Sequence, residues 1–198
     1  MDFNHFLTSY MPDPKIGSKT HFDNMLEQAV LAEKLGYSTV SIPEHHLVNI
    51  LMMPSPLQMA VKIASLTEEI KITTGIAVLP LHDMRTYAGE VATADILTEG
   101  RLILGVGRGA FAWEMKSLGT PIETSKEKFV ESLEVLQILL RDKEVSHKAA
   151  IQAGREGDDN SDSRIKGGRA AFRLSVRADI YSRRLEHIPG DHSYSKRR

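Results

Sequence analysis

The sequence predicts an α/β fold in which strands and helices alternate around a parallel sheet. Short apolar runs begin near residues 3, 39, 70 and 101, and each is followed by a stretch with apolar residues at helical spacing. Gly, Pro or Asp punctuates the joins. The alternation stops near residue 147, so the expectation is about four βα units followed by an atypical C-terminal tail.

Each element has its own warrant. Phe3 to Thr8 is the first apolar run, closed by a loop with Pro12, Asp13, Pro14 and Gly17. A helix is expected from about Thr20, with Phe22, Met25, Leu26, Ala29, Val30 and Leu35 on its apolar face. Thr20 and Asp23 suggest a capping box, and Gly36 suits the left-handed C-terminal position. Thr39 to Ile42 reads as the second strand, stopped by Pro43, and Ser55-Pro56 opens a helix through Leu66. Ile70 to Thr74, continuing through Ile76 to Leu79, is the third strand; Asp83 caps a helix through Leu97 that ends at Gly100. Arg101 to Val106 is the fourth strand. After a glycine-rich loop, Thr124 to Glu127 opens a helix carrying Phe129, Leu133, Leu136 and Leu140.

Near-continuous apolar strands joined through helices imply a parallel sheet buried on both faces. Right-handed crossovers then collect the loops that follow the strands on one edge. A (β/α) barrel and a doubly wound open sheet both satisfy this. A full barrel takes about 250 residues, so a barrel here is a half barrel of four units. Such a half-sheet has two unpaired edges and exposes an apolar interior, which predicts association with another copy or a homologous partner.

Composition bounds the function. The chain of 198 residues is 41% hydrophobic and 26% charged, an ordinary globular balance. The absence of cysteine excludes disulfides, thiolate metal sites and cysteine nucleophiles. No apolar run reaches the roughly 18 residues of a membrane span, and the N-terminus lacks a basic stretch leading into an apolar one. A cytoplasmic protein is expected. Charge divides the chain: residues 1–147 carry 13 Lys and Arg against 19 Asp and Glu, whereas residues 148–198 carry 12 against 7. The basic segment 148–198 has few large apolar residues and is expected to be irregular or disordered. Its interspersed acids argue against nucleic-acid binding.

Two constellations can carry chemistry. Glu44-His45-His46 follows the second strand, where either architecture places its ligand site, and an imidazole beside a carboxylate is a candidate general base. A surface loop is the plain alternative. Metal binding is disfavoured, because adjacent histidines diverge and no third ligand stands at a suitable spacing. Gly105-Val106-Gly107-Arg108-Gly109-Ala110 follows the fourth strand, and exposed amides with one arginine suit a phosphate. It also fits the dinucleotide pattern G-x-G-x-x-A, but the helix and acidic strand end which that reading needs are missing. Phe111 and Trp113 beside this loop suit either the cover of a planar ring or ordinary packing. Gly75 interrupts the third strand, as at a bulge or a close ligand approach.

Taken in order, FLTSYMPDP, AEKLGYSTVSIPEHH, SLTEEIKITTGIAVLPLHD, ADILTEGRLILGVGRGAF and LGTP resemble the bacterial-luciferase-like flavin monooxygenases over residues 1 to about 147. The resemblance selects the TIM-barrel type of (β/α) fold. It implies reduced FMN, supplied by a separate flavin reductase, used with O2 to oxygenate a small organic substrate. By the same resemblance His45 is the general base, with Glu44 beside it. Gly75 and Ile76 stand where relatives carry a non-proline cis peptide against the flavin. Arg108, between Gly107 and Gly109, matches a phosphate-binding arginine, and Lys126 falls where a second phosphate-contacting arginine is found; Phe6 and Phe111 line the pocket. Some relatives use a deazaflavin. The alternatives are a non-catalytic flavin- or partner-binding half barrel and, behind it, a nicotinamide-dependent reductase built on the glycine loop.

Overall fold

The computed structural model describes residues 1–49, 51–141, 144–148 and 171–175. In chain order the elements are β1 (Asn4–Phe6), α1 (Ser18–Lys34), β2 (Thr39–Ile42), α2 (Pro56–Ala64), β3 (Lys71–Thr74), β4 (Ala77–Val78) and α3 (Met84–Leu97). There follow β5 (Leu102–Ile103), β6 (Val106–Gly107), α4 (Ala112–Ser117), α5 (Ser125–Arg141), β7 (Glu144–Lys148) and β8 (Ala171–Ser175). The main sheet is parallel and ordered β1-β2-β3-β5, with β4 and β6 continuing the β3 and β5 strands as a second parallel pair. β7 and β8 pair antiparallel. Apart from Lys148 and β8, the expected irregular tail lies outside the described residues.

Strand order decides between the two architectures. A doubly wound sheet reverses its order at a switch point and so takes helices on both faces. Here each strand pairs with the next crossover-linked strand without reversal, and right-handed connections then put α1, α2 and α3 on one side. That is the barrel arrangement, in four units.

Register fixes the two faces of this sheet. His5, Val40, Ile72 and Leu102 are aligned across β1, β2, β3 and β5, and Val40 and Ile72 bury against Met25, Ala29, Met59 and Ile63 of α1 and α2. A second cluster joins Leu57, Ala77, Leu79, Tyr87, Val91, Val135, Leu136 and Leu139, seating α5 on α3 and the turn after β4. Each fully buried Val, Leu, Ile or Met among these contributes about 1.5–3 kcal/mol by leaving water. The other face presents Asn4, Phe6, Thr39, Ser41, Lys71, Thr73 and Ile103 in register. The expectation of a continuous apolar interior is therefore corrected: apolar residues concentrate on the helix side, and the concave side is small and polar around exposed Phe6 and Ile103.

Local expectations are corrected in four places. α1 begins at Ser18 with Gly17 (φ +79°) as its N-cap, so Thr20 lies inside the helix and Asp23 pairs with Lys19 instead of closing a capping box. The fourth strand is broken in two at Leu104-Gly105, while the break in the third, at Gly75-Ile76, falls on the glycine that interrupts it in the sequence. Leu35, Leu97 and Leu140, placed on apolar faces by spacing, are exposed because they sit at helix ends beyond the packed neighbours. α4 was not foreseen, since six residues are too few for a helical period to register.

The amino edge of the sheet is held by two charged side chains. Arg101 donates to the carbonyls of Ala64 and Thr98 (2.8 and 3.2 Å), at the C-terminal ends of α2 and α3, and to Thr67 Oγ1 (3.0 Å). Glu33 of α1 accepts the backbone N–H groups of Glu68, Glu69 and Ile70 ahead of β3. Burial works against its charge, but those three donors and Arg101 hold its carboxyl below the usual range.

The break in the fourth strand depends on an absent side chain. Gly105 accepts from Ala77 N–H (2.8 Å) and from Thr74 Oγ1 (2.7 Å), so β3, β4, β5 and β6 meet at this one carbonyl. A Cβ at Gly105 would run into the Thr74 carbonyl oxygen, whereas a Cβ at Gly107 meets only the Cδ1 end of Ile76. Gly105→Ala should therefore cost about 3 kcal/mol, because backbone must move, and Gly107→Ala about 1 kcal/mol or less, because Ile76 can turn aside. Urea midpoints of the two variants test this; equal losses would refute the distinction.

Candidate active site at the carboxyl edge of the sheet

β2 ends at Ile42, and Pro43 delivers Glu44, His45 and His46 to the carboxyl edge. The Glu44 carboxylate is fully buried. Its Oε1 accepts from His46 Nε2 and from His82 Nε2, both at 2.7 Å, and its Oε2 accepts the Val78 N–H at 2.8 Å. Burial alone would raise its pKa; the two imidazole donors, the charge of His82 and the Val78 amide more than offset this and bring it down to about 2. His46 is pushed up, chiefly by its hydrogen bond to Glu44 against the opposing effect of burial, with the charges of Glu44 and Glu114 adding to the rise. His82 stacks on Tyr87 with ring centroids 4.1 Å apart, and burial together with the Glu44 charge pushes the Tyr87 phenol upward.

A second carboxylate arrives from another loop. Glu114, in the first turn of α4, is buried; its Oε1 accepts the His46 backbone N–H, and its Oε2 lies 3.4 Å from His45 Nδ1. The His45 backbone N–H donates to the Met53 carbonyl (2.9 Å), and the Phe111 ring meets the His45 ring edge-on at 5.0 Å. The imidazole is thus held by main chain, ring and carboxylate together.

These groups border a cavity of about 260 Å³, lined by Glu44, His45, Gly75, Ile76, Arg108 and Phe111 among others. The Gly75–Ile76 peptide is cis. Gly109, at φ +82°, also lines the cavity, and a Cβ there would meet Met115 Sδ at 2.5 Å. Of the residues singled out from the sequence, Glu44, His45, Gly75, Ile76, Arg108, Gly109 and Phe111 come together here. His46, Trp113, Phe6, Gly107 and Lys126 do not line it. Phe6 is exposed on the concave face near Gly75, Gly107 packs against Ile76, and Lys126 is exposed on the first turn of α5. His82 and Glu114 were missed. His82 follows a strand end just as Glu44 does, so the strand-end rule would have found it; Glu114 lies on a six-residue helix and carries no local signal.

The carboxylate network sets a pH dependence. An acid whose pKa is depressed on folding stabilises the fold above its ordinary value, here 4.5, and loses that contribution as pH falls through about 2. A histidine raised on folding stabilises below about 6.5 and loses its contribution as pH climbs through the raised value. Stability should therefore be greatest near pH 5–6 and fall on the acid side by roughly 3 kcal/mol through Glu44. Urea denaturation of Glu44→Gln from about pH 6 down to about pH 2 should show a flattened acid limb; an acid limb matching the parent protein's would remove Glu44 as its source.

The family model for luciferase-like monooxygenases matches residues 1–161. An uncharacterised protein of Sinorhizobium fredii is 35% identical over 147 residues, 74% of this chain and 42% of its own length. The oxygenase component of a flavin-dependent trigonelline monooxygenase from Acinetobacter baylyi is 30% identical over 118 residues, 60% of this chain and 33% of its own. Among solved structures, the oxygenating constituent of the Pseudomonas putida 3,6-diketocamphane monooxygenase, in complex with FMN, superposes with a TM-score of 0.71 at 23% identity. That match covers 76% of this chain and 42% of that one and shows the shared fold. The chain spans less than half the length of the relatives it matches. By the family match over most of its length, the chain belongs to the luciferase-like monooxygenases.

Proposed function

We propose that the chain is the oxygenase component of a two-component flavin monooxygenase, using reduced FMN and O2 to oxygenate a small organic substrate, with a separate reductase supplying the reduced flavin. The observation that carries this is one cavity at the carboxyl edge bordered by His45, two buried carboxylates, Arg108 and an apolar wall of Ile76, Val78, Phe111 and Met115. An apolar wall with a single cation suits a planar ring system bearing a phosphate. Its volume, about 260 Å³, is below the roughly 300–1,000 Å³ of complete ligand sites, so these residues form one part of a larger site. The oxygenase component from Acinetobacter baylyi and the FMN-bound structure from Pseudomonas putida support the same reading.

In this reading Arg108 would hold the FMN phosphate, and Gly75, Ile76 and Phe111 would help hold its ring system. When bound, reduced FMN supplies the electrons that activate O2. The protein's own part is to exclude water with the apolar wall and to move a proton at His45. Glu44 stays ionised and keeps His46 and His82 in place behind it. The edge strands β1 and β5, open among the described residues, would suit pairing with another copy or a homologous partner.

Anaerobic titration with reduced FMN tests the proposal. Saturable binding by a discrete oligomer is expected, weakened about tenfold or more in Arg108→Ala, the scale of one charge-assisted phosphate contact. His45→Ala should bind flavin as the parent does and oxygenate roughly two or more orders of magnitude more slowly. Absence of saturable binding would overturn the oxygenase assignment, and unaltered turnover in His45→Ala would remove that residue from the mechanism.

A further inference from the structure

We propose that Glu114 is a positioning residue for His45: its carboxylate holds the imidazole in the tautomer with hydrogen on Nδ1 and leaves Nε2 as the proton-accepting atom. The catalytic consequence rests on the oxygenase reading above; the tautomer itself does not.

The argument starts from what each atom near Glu114 can do. An ionised carboxylate only accepts hydrogen bonds. Oε1 is taken by the His46 backbone N–H, a donor that has no other role. Oε2 faces His45 Nδ1 at 3.4 Å, so a favourable contact requires hydrogen on Nδ1. The ring has little freedom to escape this choice. Its backbone N–H is committed to Met53, its face is met edge-on by Phe111, and Glu114 itself is buried. In a neutral imidazole, hydrogen on Nδ1 leaves Nε2 with a lone pair. A base that borders the cavity with its unprotonated nitrogen fixed in advance needs no tautomer change before it accepts a proton.

Glu44 is not the orienting group, although it adjoins His45 in sequence. Its oxygens are already engaged by His46, His82 and Val78. The orienting carboxylate instead comes from 69 residues along the chain. It ties the loop after β2 to the helix that follows β6.

Substituting glutamine turns this geometry into a test with opposite outcomes. In Glu114→Gln the side-chain oxygen must stay on the His46 N–H, because that donor cannot become an acceptor. The amide NH2 then faces His45 Nδ1 and donates to it, which drives the ring hydrogen to Nε2. Nitrogen-15 NMR of the ligand-free chain at about pH 9, where imidazoles are neutral, reads the tautomer from the two ring-nitrogen shifts. The parent protein should show His45 protonated on Nδ1, and Glu114→Gln should show it protonated on Nε2 with the His46 amide still hydrogen-bonded. The same tautomer in both proteins would overturn the proposal. A parent spectrum with hydrogen on Nε2 would overturn it without the variant, so a variant that fails to fold leaves the question decidable. Failure of FMN to bind would sink the oxygenase reading and leave the His45 tautomer standing, which keeps the two claims separable.

Discussion

A carboxylate taken wholly out of water, Glu44, is the constraint around which the carboxyl edge is arranged. Burying such a charge costs several kcal/mol unless donors replace the lost water. Three donors do so, and each comes from a different place: His46 two residues on, Val78 of β4, and His82 after the turn that follows β4. Satisfying one ion therefore brings the ends of two strands into one geometry. The Gly75–Ile76 break, the short β4–β6 pair and the loop that carries His45 all lie within the reach of that arrangement. Removing the donors would strand a charge; removing the charge would leave two imidazoles and an amide facing one another.

Stability and chemistry are divided between the two edges of the sheet. At the amino edge Arg101 donates to helix-terminal carbonyls of α2 and α3, and Glu33 accepts loop amides ahead of β3. At the carboxyl edge the same kinds of side chain, Glu44 and Glu114, orient histidines beside a cavity. Barrel folds keep their loops after the strands for function and their opposite face for stability. The same division is visible within four units.

The concave face bears on how this half sheet meets the rest of its surroundings. Its small and polar residues, with Phe6 and Ile103 exposed among them, make a poorer hydrophobic core than the helix side. Most of the buried apolar surface lies between sheet and helices and between α3 and α5. That fits a chain whose relatives are more than twice as long as the part it matches.

By itself the sequence determined the α/β alternation, the four strand positions, the helices on one stripe and the placement of Glu44-His45-His46 at a strand end. Those follow from apolar spacing and from glycine, proline and capping residues, which act over a few positions along the chain. Tertiary structure alone decided the unreversed strand order, which separates a barrel from a doubly wound sheet. It decided that Gly105 and Gly107 serve close packing of strands, while Arg108 and Gly109 border the cavity. It also decided which carboxylate meets which histidine: Glu44, next to His45 in sequence, turns to His46 and His82, and Glu114, far away, turns to His45. Side-chain direction alternates along the backbone, and burial is shared across elements. The partner of a charged group is therefore set by what folding brings opposite it, not by its neighbour in the chain.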